Sequence, residues 1–404
     1  MSTQREALRP KLRPLDVRRF GDILVLRDPL GLCPQEITFP SYLGPLLSLM
    51  DGSRDINGIQ MSFHLLTGHY ISLTSLEELV SHLEACLLLD GPLFRQTYDK
   101  ALQEYRRAPF RQPALTDKVY PGEPEALSRT LAGYIRDAPP PFRLRTAVGI
   151  ISPHIDYARG WKVYAATWGA IKEAVQEATL VLAFGTDHAG GHGRLTLTRQ
   201  SYATPWGVLP TDTQMVEELA AVLGEEAFQE EIHHRNEHSL ELALVWLHYM
   251  RQGCPVTVVP ILCGSFAPFV DGPTSPMESD RIARAVEILS GYAARPGALV
   301  VAAADLAHVG PAFGDPMPWG LLERAQLHGS DDRLLESISR CDAEGFLAQV
   351  RACGDRYRIC GLPPIYLALK VLGTGKGYPT GYQQCPADPQ GGSLVSIAGM
   401  VLER

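Results

Sequence analysis

The sequence lacks the features of a membrane-bound, exported or disulfide-rich protein. No apolar run approaches the ~18 residues of a membrane-spanning helix. The basic N-terminus, which includes Arg5 and Arg9, is not followed by the apolar core of an export signal. Eight cysteines are scattered without a Cys-x-x-Cys pair, which favours free cytosolic thiols over a zinc ribbon. We therefore expect a cytoplasmic protein without a membrane segment.

Internal repeats and low-complexity tracts are also missing from the 404 residues, of which 45% are hydrophobic. This composition is typical of a globular protein with two or three domains. Charge is unevenly distributed, because residues 1–120 contain 14 basic and 14 acidic side chains and the remainder contains 23 basic and 31 acidic ones. An acidic main domain argues against nucleic acid as the principal ligand.

Residues 1–95 have the pattern of a small separate module. The stretch 20–29 predicts a β-hairpin or a strand with a turn. Three helical patterns follow, at 41–50, 56–66 and 73–88. Thr74 or Ser75 can cap the third helix. The module therefore resembles a winged helix.

Residues 96–118 begin with a helical pattern and continue as coil through Pro109 and Pro113. Proline-containing coil of this kind is typical of a linker between domains. We therefore predict a linker over 96–118 and a main domain over 119–404.

The element order of the first module, with its Asp51-Gly52-Ser53-Arg54 turn, resembles that of PqqD-like domains. The resemblance implies a module that binds a peptide for a radical-SAM partner. Winged helices also bind DNA, but the balanced charge of this module disfavours that function. A purely scaffolding module remains the alternative.

The main domain alternates strand and helix patterns, which predicts a three-layer α/β fold. A first helix is predicted from Glu123 to Ile135, with a proline in its first turn. Candidate strands lie at 146–152, 179–185, 257–263, 298–304 and 393–402. Candidate helices lie at 161–175, 213–223, 237–250, 280–294, 331–338, 343–350 and 363–372.

Three of these strands lead directly to a histidine. His154, His188 and His308 each follow an apolar run, and each has an aspartate within three residues. A single histidine at a strand end is usually structural, but independent structural histidines have no reason to share one context. Because an α/β protein places its ligands at the carboxyl ends of its strands, the pattern predicts one polar site at one edge of the sheet.

Two further segments carry reactive side chains at predicted helix starts. His238 and Glu241 share one face of a helix that Asn236 can cap. Cys360 stands just before a glycine and two prolines, where another helix begins, and a helix N-terminus stabilises a thiolate.

Five motifs together resemble the Memo family, also called AmmeMemoRadiSam system protein B. They are Pro153-His154-x-x-Tyr157, Gly185-x-x-His188, Glu237-His238-Ser239-x-Glu241, Asp305-x-x-His308-x-Gly310 and Ile359-Cys360-Gly361-x-x-Pro364. The match runs from Tyr120 to the C-terminus, and five motifs in order are far more specific than one. The resemblance implies the fold of class III extradiol dioxygenases, which use non-haem iron(II).

The resemblance implies metal ligands at His154, His188 and Cys360. Two imidazoles and one anionic ligand suit iron(II), and a thiolate also admits copper(I). Asp305 and His308 are expected as an acid/base pair near the metal.

His238 and Glu241 are expected in the pocket or among the residues that support the ligands, and Tyr157 is expected to line the pocket. The implied partners are a radical-SAM protein and an AMMECR-type protein. An iron-dependent oxidoreductase, a non-catalytic metal-binding or scaffold subunit and a metal-dependent hydrolase remain alternatives.

The chain departs from the family pattern at two motifs. Ile155-Asp156 stands where Ala-Gly is common, and Gly185-Thr186-Asp187-His188-Ala189 stands where Gly-Pro-Ser-His-His is common. The extra carboxylates leave the size and charge of the substrate open. We expect His192, His233 and His234 to be polar surface or loop residues.

Overall fold

The structure, a computed structural model, describes residues 8–33 and 35–404. Residues 1–7 of the predicted first module, including the basic Arg5, lie outside this range. The chain divides into two compact units, Met1–Arg107 and Ala108–Arg404.

The first unit combines a small antiparallel sheet with helices. Its strands, in spatial order, are β1 (Asp16–Phe20), β2 (Ile23–Arg27) and β3 (Ile37–Pro40). Its helices are α1 (Gly44–Leu49), α2 (Ile56–Thr67), α3 (Leu73–Ala85) and α4 (Pro92–Arg107). Leu26, Phe63 and Leu83 belong to the apolar core that the sheet and helices share. The strand pair and three helical patterns have counterparts here, whereas the likeness to PqqD-like domains stays a prediction.

The cap of α3 differs from the predicted one. Ser72 accepts a hydrogen bond from the backbone N–H of Ser75 at 3.0 Å, so Ser72 is the cap. Because α3 begins at Leu73, the predicted caps Thr74 and Ser75 lie inside its first turn.

The segment predicted as a linker, 96–118, consists of two structurally different parts. Its first part completes α4, which ends at Arg107. Its second part belongs to the second unit, where the backbone N–H groups of Ala114 and Leu115 donate to the carboxylate of Glu241 at 2.8 and 2.9 Å. Anchoring to a buried carboxylate holds this coil in place, which its proline content could not reveal.

The second unit is built on a mixed sheet with a parallel centre. Its strands are β4 (Gly149–Ser152), β5 (Leu180–Thr186), β6 (Leu195–Leu197), β7 (Tyr202–Thr204), β8 (Gly207–Leu209), β9 (Thr257–Cys263), β10 (Ala298–Ala303), β11 (His308–Val309), β12 (Lys376–Pro386) and β13 (Leu394–Glu403). The main sheet has the order β11-β13-β4-β10-β5-β9-β6, β12 pairs with β13, and β7 and β8 form a separate pair. Strands β4, β10, β5 and β9 are parallel neighbours.

Helices cover both faces of this sheet, which gives an α/β fold of three layers. They are α5 (Pro124–Asp137), α6 (Tyr157–Ala170), α7 (Lys172–Glu177), α8 (Thr213–Leu223), α9 (His238–Met250), α10 (Ala267–Asp271), α11 (Asp280–Ala293), α12 (Leu321–Ser339), α13 (Ala343–Ala352) and α14 (Leu362–Leu372). Helices α5, α6, α7 and α9 share one core with the sheet, and α8 and α11 to α14 share the other. Across the described residues, no helix is long and apolar enough to cross a membrane.

The five predicted strands all occur. Four of them are buried parallel strands, which are continuous apolar runs that the sequence displays directly, and the fifth, β13, is antiparallel but almost entirely buried. Strand β12 escaped prediction, since few of its residues are fully buried and it contains Gly377, Pro379 and Gly381. Helix α12 begins ten residues before the predicted start at 331, because its first turns are largely exposed, including Leu321 and Leu322, and so lack the apolar stripe of a buried helix face.

Candidate metal centre

The carboxyl ends of the parallel strands bring the predicted site residues to one edge of the sheet. Ala303, at the end of β10, pairs with Ser152 of β4 on one side and with β5 on the other. The turns that follow these strands carry His154, His188 and Asp305. Because the ends of the three strands coincide, the three turns lie side by side, as the shared sequence pattern predicts.

Three imidazoles meet at this edge. The ring centroids of His154 lie 5.2 Å from His188 and 5.3 Å from His238, and those of His188 and His238 lie 4.7 Å apart in a stacked pair. Ligand nitrogens of the three rings lie within 4.8 Å of one another. His154 is buried, whereas 37% of the His188 side chain and 39% of the His238 side chain are exposed, so the cluster opens to solvent on one side.

The Nδ1 atom of each ring already has a partner. His154 Nδ1 donates to the carbonyl oxygen of Ala303 at 3.0 Å. His188 Nδ1 and His238 Nδ1 each lie 3.1 Å from the carboxylate of Glu237. A metal-binding histidine normally uses its second nitrogen in this way, which fixes the ring and leaves the Nε2 lone pair for the ion.

Cys360 adds a thiol to the three imidazoles. Its Sγ lies 3.3 Å from His154 Nε2 and 3.8 Å from the carbonyl oxygen of Asp305. Burial would raise the pKa of the Cys360 thiol, but the neighbouring His154 and His188 rings prevail and lower the pKa to about 7. A thiolate, the form that binds metals, is therefore accessible near neutral pH.

Gly361 allows the cysteine-bearing turn to approach the sheet edge closely. Its N–H donates to the carbonyl oxygen of Asp305 at 3.0 Å, and a Cβ at this position would lie 2.3 Å from that oxygen. The carbonyl of Cys360 also accepts a hydrogen bond from Thr186 Oγ1 at 3.0 Å. The glycine of the Ile-Cys-Gly motif is therefore a requirement of close backbone packing.

The expected pairing of Asp305 with His308 takes a different form. Asp305 Oδ1 accepts hydrogen bonds from the backbone N–H groups of His154 at 2.8 Å and Ile155 at 3.3 Å, and Oδ2 lies 3.7 Å from His154 Nε2. Asp305 thus joins the turn of His154 to the turn of Cys360. Burial raises the pKa of the Asp305 carboxyl, against the opposing charge of His308.

His308 has its own partners at the same edge. Its Nδ1 donates to the carbonyl oxygen of Leu306 at 3.2 Å, and its ring contacts Phe313 edge-on with centroids 5.0 Å apart. Burial lowers the pKa of His308, although the Asp305 charge opposes this shift. The neutral ring therefore has a lone pair on Nε2 that can accept a proton.

Glu237 is the site residue that the sequence analysis did not select. It precedes α9 and is its cap, in place of the predicted Asn236. Its carboxylate accepts the backbone N–H groups of His188 at 3.1 Å, His238 at 2.8 Å and Ser239 at 3.0 Å, besides its two imidazole contacts. The sequence feature that could have identified Glu237 as a site residue was its position directly before His238 in the third motif.

Burial opposes the charged forms of both Glu237 and His188. Their mutual contact nevertheless prevails, so the pKa of Glu237 falls well below its ordinary value and that of His188 rises well above its own. The carboxylate of Glu237 is therefore a stable anion that binds two rings of the cluster.

Two residues expected in or around the pocket have structural roles instead. Glu241 is buried, and its carboxylate accepts hydrogen bonds from Arg111, Tyr120 and two backbone N–H groups. Tyr157 is buried among the rings of Tyr120, Tyr164 and Trp246, and its hydroxyl donates to the carbonyl of Leu242 at 2.7 Å. The i, i+3 spacing correctly predicts that His238 and Glu241 share one face of α9. Glu241, however, lies one turn into the helix, whereas His238 stands at its start.

The two carboxylates that depart from the family pattern are accounted for by local contacts. Asp156 caps α6 and pairs with Arg159. Asp187 pairs with His233, whose Nδ1 lies 3.0 Å from both carboxylate oxygens.

The expectation that His233 and His234 lie on the surface is wrong, because both are buried, whereas His192 is exposed. His234 contacts Tyr202 through Nδ1 and the Thr196 carbonyl through Nε2. Burial lowers the pKa of His234 to about 3. These buried partners come from distant strands, which local sequence could not indicate.

The ligand atoms of Asp187, Glu230 and His233 also lie within 4.8 Å of one another. Their carboxylates already have partners, because Asp187 binds His233 while Glu230 accepts the Gly191 N–H at 3.0 Å and faces Arg194. This group is explained as a set of paired charges.

The fold and this edge define an α/β protein with a candidate metal centre of imidazoles and one thiol. Comparison with known proteins identifies the class more narrowly. The family model described as Memo-like protein matches residues 111–401, which is most of the chain and nearly all of the second unit. The chain therefore belongs to the Memo family.

Similar proteins occur in bacteria and archaea. A MEMO1 family protein of Aquifex aeolicus is 28% identical over 401 residues, covering 98% of this chain and all of the relative. One from Methanosarcina barkeri is 26% identical over 258 residues, covering 63% of this chain and 84% of the relative. One from Methanopyrus kandleri is 26% identical over 281 residues, covering 66% and 89%. The match to the Aquifex protein thus spans both units.

Proposed function

We propose that this chain is a metalloprotein that binds one transition-metal ion at the sheet edge and acts as an iron(II)-dependent oxidoreductase. The observation that supports the proposal is the cluster of His154, His188 and His238, whose ligand nitrogens lie within 4.8 Å of one another, with the Cys360 Sγ 3.3 Å from His154 Nε2. The Nδ1 atoms of the three rings contact Ala303 and Glu237, which leaves their Nε2 atoms for an ion.

The donor set fits a mid-to-late transition metal. Imidazole and thiolate ligands suit iron, copper and zinc and are poor ligands for magnesium or calcium. His154, His188 and Cys360 would hold the ion, and His238 faces the same position. When bound, iron(II) would supply redox chemistry, and copper(I) is the competing occupant because the thiolate is a soft ligand.

The remaining residues have defined tasks in this proposal. Asp305 fixes the turns of His154 and Cys360 relative to each other. Glu237 fixes the rings of His188 and His238. His308, with Nδ1 engaged by Leu306, would accept or return a proton at Nε2.

Metal analysis tests the ligand assignment. The protein is purified without oxygen, and iron and copper are counted in the wild type, in His154→Ala and in Cys360→Ala. His192→Ala and Cys254→Ala are matched controls, because both side chains are exposed. We expect one ion per wild-type and control chain and loss in the two site variants. Undiminished metal in both site variants contradicts the assignment.

Oxygen uptake separates the oxidoreductase from the competing class, a metal-carrying or scaffold subunit without catalysis. The iron-loaded protein is supplied with a panel of catechols, and oxygen consumption is followed. Consumption that His308→Ala abolishes supports the enzyme. A metal-loaded protein that consumes no oxygen with any catechol supports the subunit.

We also propose a radical-SAM protein and an AMMECR-type protein as partners, with a peptide as the ligand of the first unit. The support is the sequence resemblance together with the Aquifex aeolicus relative, whose match covers both units. Co-purification of a tagged full-length chain with the candidate partners tests this proposal, and no retention at near-physiological salt contradicts it.

A further inference from the structure

Arg111 is a buried cation outside the candidate metal centre, and its contacts lead directly to that centre. Its side chain is fully buried. Nε donates to the carbonyl oxygen of His234 at 2.8 Å, Nη2 donates to that of Glu237 at 3.0 Å, and Nη1 pairs with the carboxylate of Glu241. One guanidinium therefore binds three acceptors at the beginning of α9.

The backbone of Arg111 is also fixed. Its N–H donates to the carbonyl of Ser201 at 2.8 Å, and its carbonyl accepts from the N–H of Ala203 at 3.0 Å. Arg111 thus pairs beside β7 like an added strand. A side chain that starts from a fixed backbone and ends in a planar fork has little freedom left, which suits it to hold other groups in place.

The group that Arg111 holds is the one that orients two imidazoles. The Glu237 carbonyl that it binds belongs to the residue whose carboxylate contacts His188 and His238. Fixing this carbonyl fixes the backbone of Glu237, and with it the direction of the carboxylate.

We propose that Arg111 is a positioning residue for the metal centre, acting through Glu237. The inference rests on the proposed metal-binding function. Groups that orient metal ligands typically contribute about 10- to 100-fold in metal affinity. Arg111→Lys keeps the charge opposite Glu241 but cannot reach three acceptors in one plane, so we expect the affinity for Co²⁺, used as a spectroscopic probe, to fall by about 10- to 100-fold.

Arg251→Lys is the matched control. Arg251 also binds several backbone carbonyls, those of Val175, Ala178 and Cys254, but it stands at the opposite end of the same helix. A helix of 13 residues separates the two sites by about 20 Å. We expect this variant to lose stability without losing metal affinity.

Two measurements decide the proposal. Co²⁺ titration gives the metal affinity and the intensity of the thiolate-to-cobalt absorption. If Arg111→Lys only lowers the stability, as Arg251→Lys is expected to do, neither quantity should change in Arg111→Lys alone. Nitrogen-15 NMR of the metal-free protein gives the Nδ1–H signals of His188 and His238, which we expect to shift in Arg111→Lys only.

The outcomes separate this inference from the proposed function. A wild type that binds no metal contradicts the proposed function, while shifted imidazole signals in Arg111→Lys alone would still support positioning. Wild-type affinity and unshifted signals in Arg111→Lys, or equal losses in both variants, overturn the inference.

Discussion

The buried pair of Arg111 and Glu241 makes Glu241→Gln a sharp test of whether Glu241 is structural. Both side chains are almost completely buried, at 0% and 1% exposure. Removing one partner of a buried ion pair leaves an uncompensated charge and costs about 3–5 kcal/mol. Glutamine retains one oxygen, which can serve either the Ala114 N–H bound to Oε2 or the Leu115 N–H bound to Oε1 but not both, so the expected loss is at least about 3 kcal/mol. Against a total stability of roughly 5–15 kcal/mol, this is a large fraction.

Tryptophan fluorescence reports this loss selectively. The 5 tryptophans, Trp161, Trp168, Trp206, Trp246 and Trp319, all lie in the second unit. Urea unfolding followed by their emission therefore measures the second unit within the intact chain. A lower midpoint with an unchanged slope indicates lost stability.

The surface pair of Arg199 and Glu217 provides the control, because about half of each side chain is exposed. Glu217→Gln should change the stability by less than about 1 kcal/mol. The double variant Arg111→Met with Glu241→Gln should recover part of the loss, since no charge then remains buried alone. If Glu241→Gln is as stable as Glu217→Gln, the structural role assigned to Glu241 is refuted.

Four further outcomes are expected. His308→Ala should retain its metal and lose about 10²- to 10⁴-fold of any oxidative turnover; purification without metal would instead identify His308 as a ligand. Burial raises the pKa of Asp331 to about 6 from its ordinary 3.8, so its contribution to stability is complete below about pH 4 and is lost as the pH rises through 6. The free energy of unfolding of Asp331→Asn, relative to that of the wild type, should therefore rise by on the order of 3 kcal/mol between pH 4 and pH 7.5. The same pH dependence in both proteins, measured by urea unfolding, would refute this. A fragment of residues 108–404 should fold and bind metal, whereas residues 121–404, which lack Arg111 and Tyr120, should not; equal behaviour of the two fragments, by circular dichroism and metal count, would contradict the anchoring role of Glu241. The first unit should bind peptide or protein in preference to duplex DNA, because residues 1–107 contain 12 basic and 13 acidic side chains, and tight salt-sensitive DNA binding would contradict this.

The strands and part of the candidate site could be predicted from local sequence. The apolar runs before His154 and His188 predicted both the strands and their common edge, because a parallel strand and the turn that follows it are contiguous in sequence. The roles of Glu237 and Arg111 escaped prediction, since each depends on partners brought by other elements. The same limit explains Glu241, whose spacing from His238 was correct but whose partners lie in residues 111–120.

The separation of His154 and Cys360 along the chain, 206 positions, has a consequence for biosynthesis. A nascent chain presents the imidazoles long before the thiol emerges from the ribosome. Strand β13, which flanks β4 in the sheet, is made later still, as residues 394–403. The complete set of donors thus becomes available only after Cys360 and β13 have been made. Under the proposed metal-binding function, loading of an ion onto the full set would therefore follow synthesis of these segments and draw on the metal that the cell supplies at that moment.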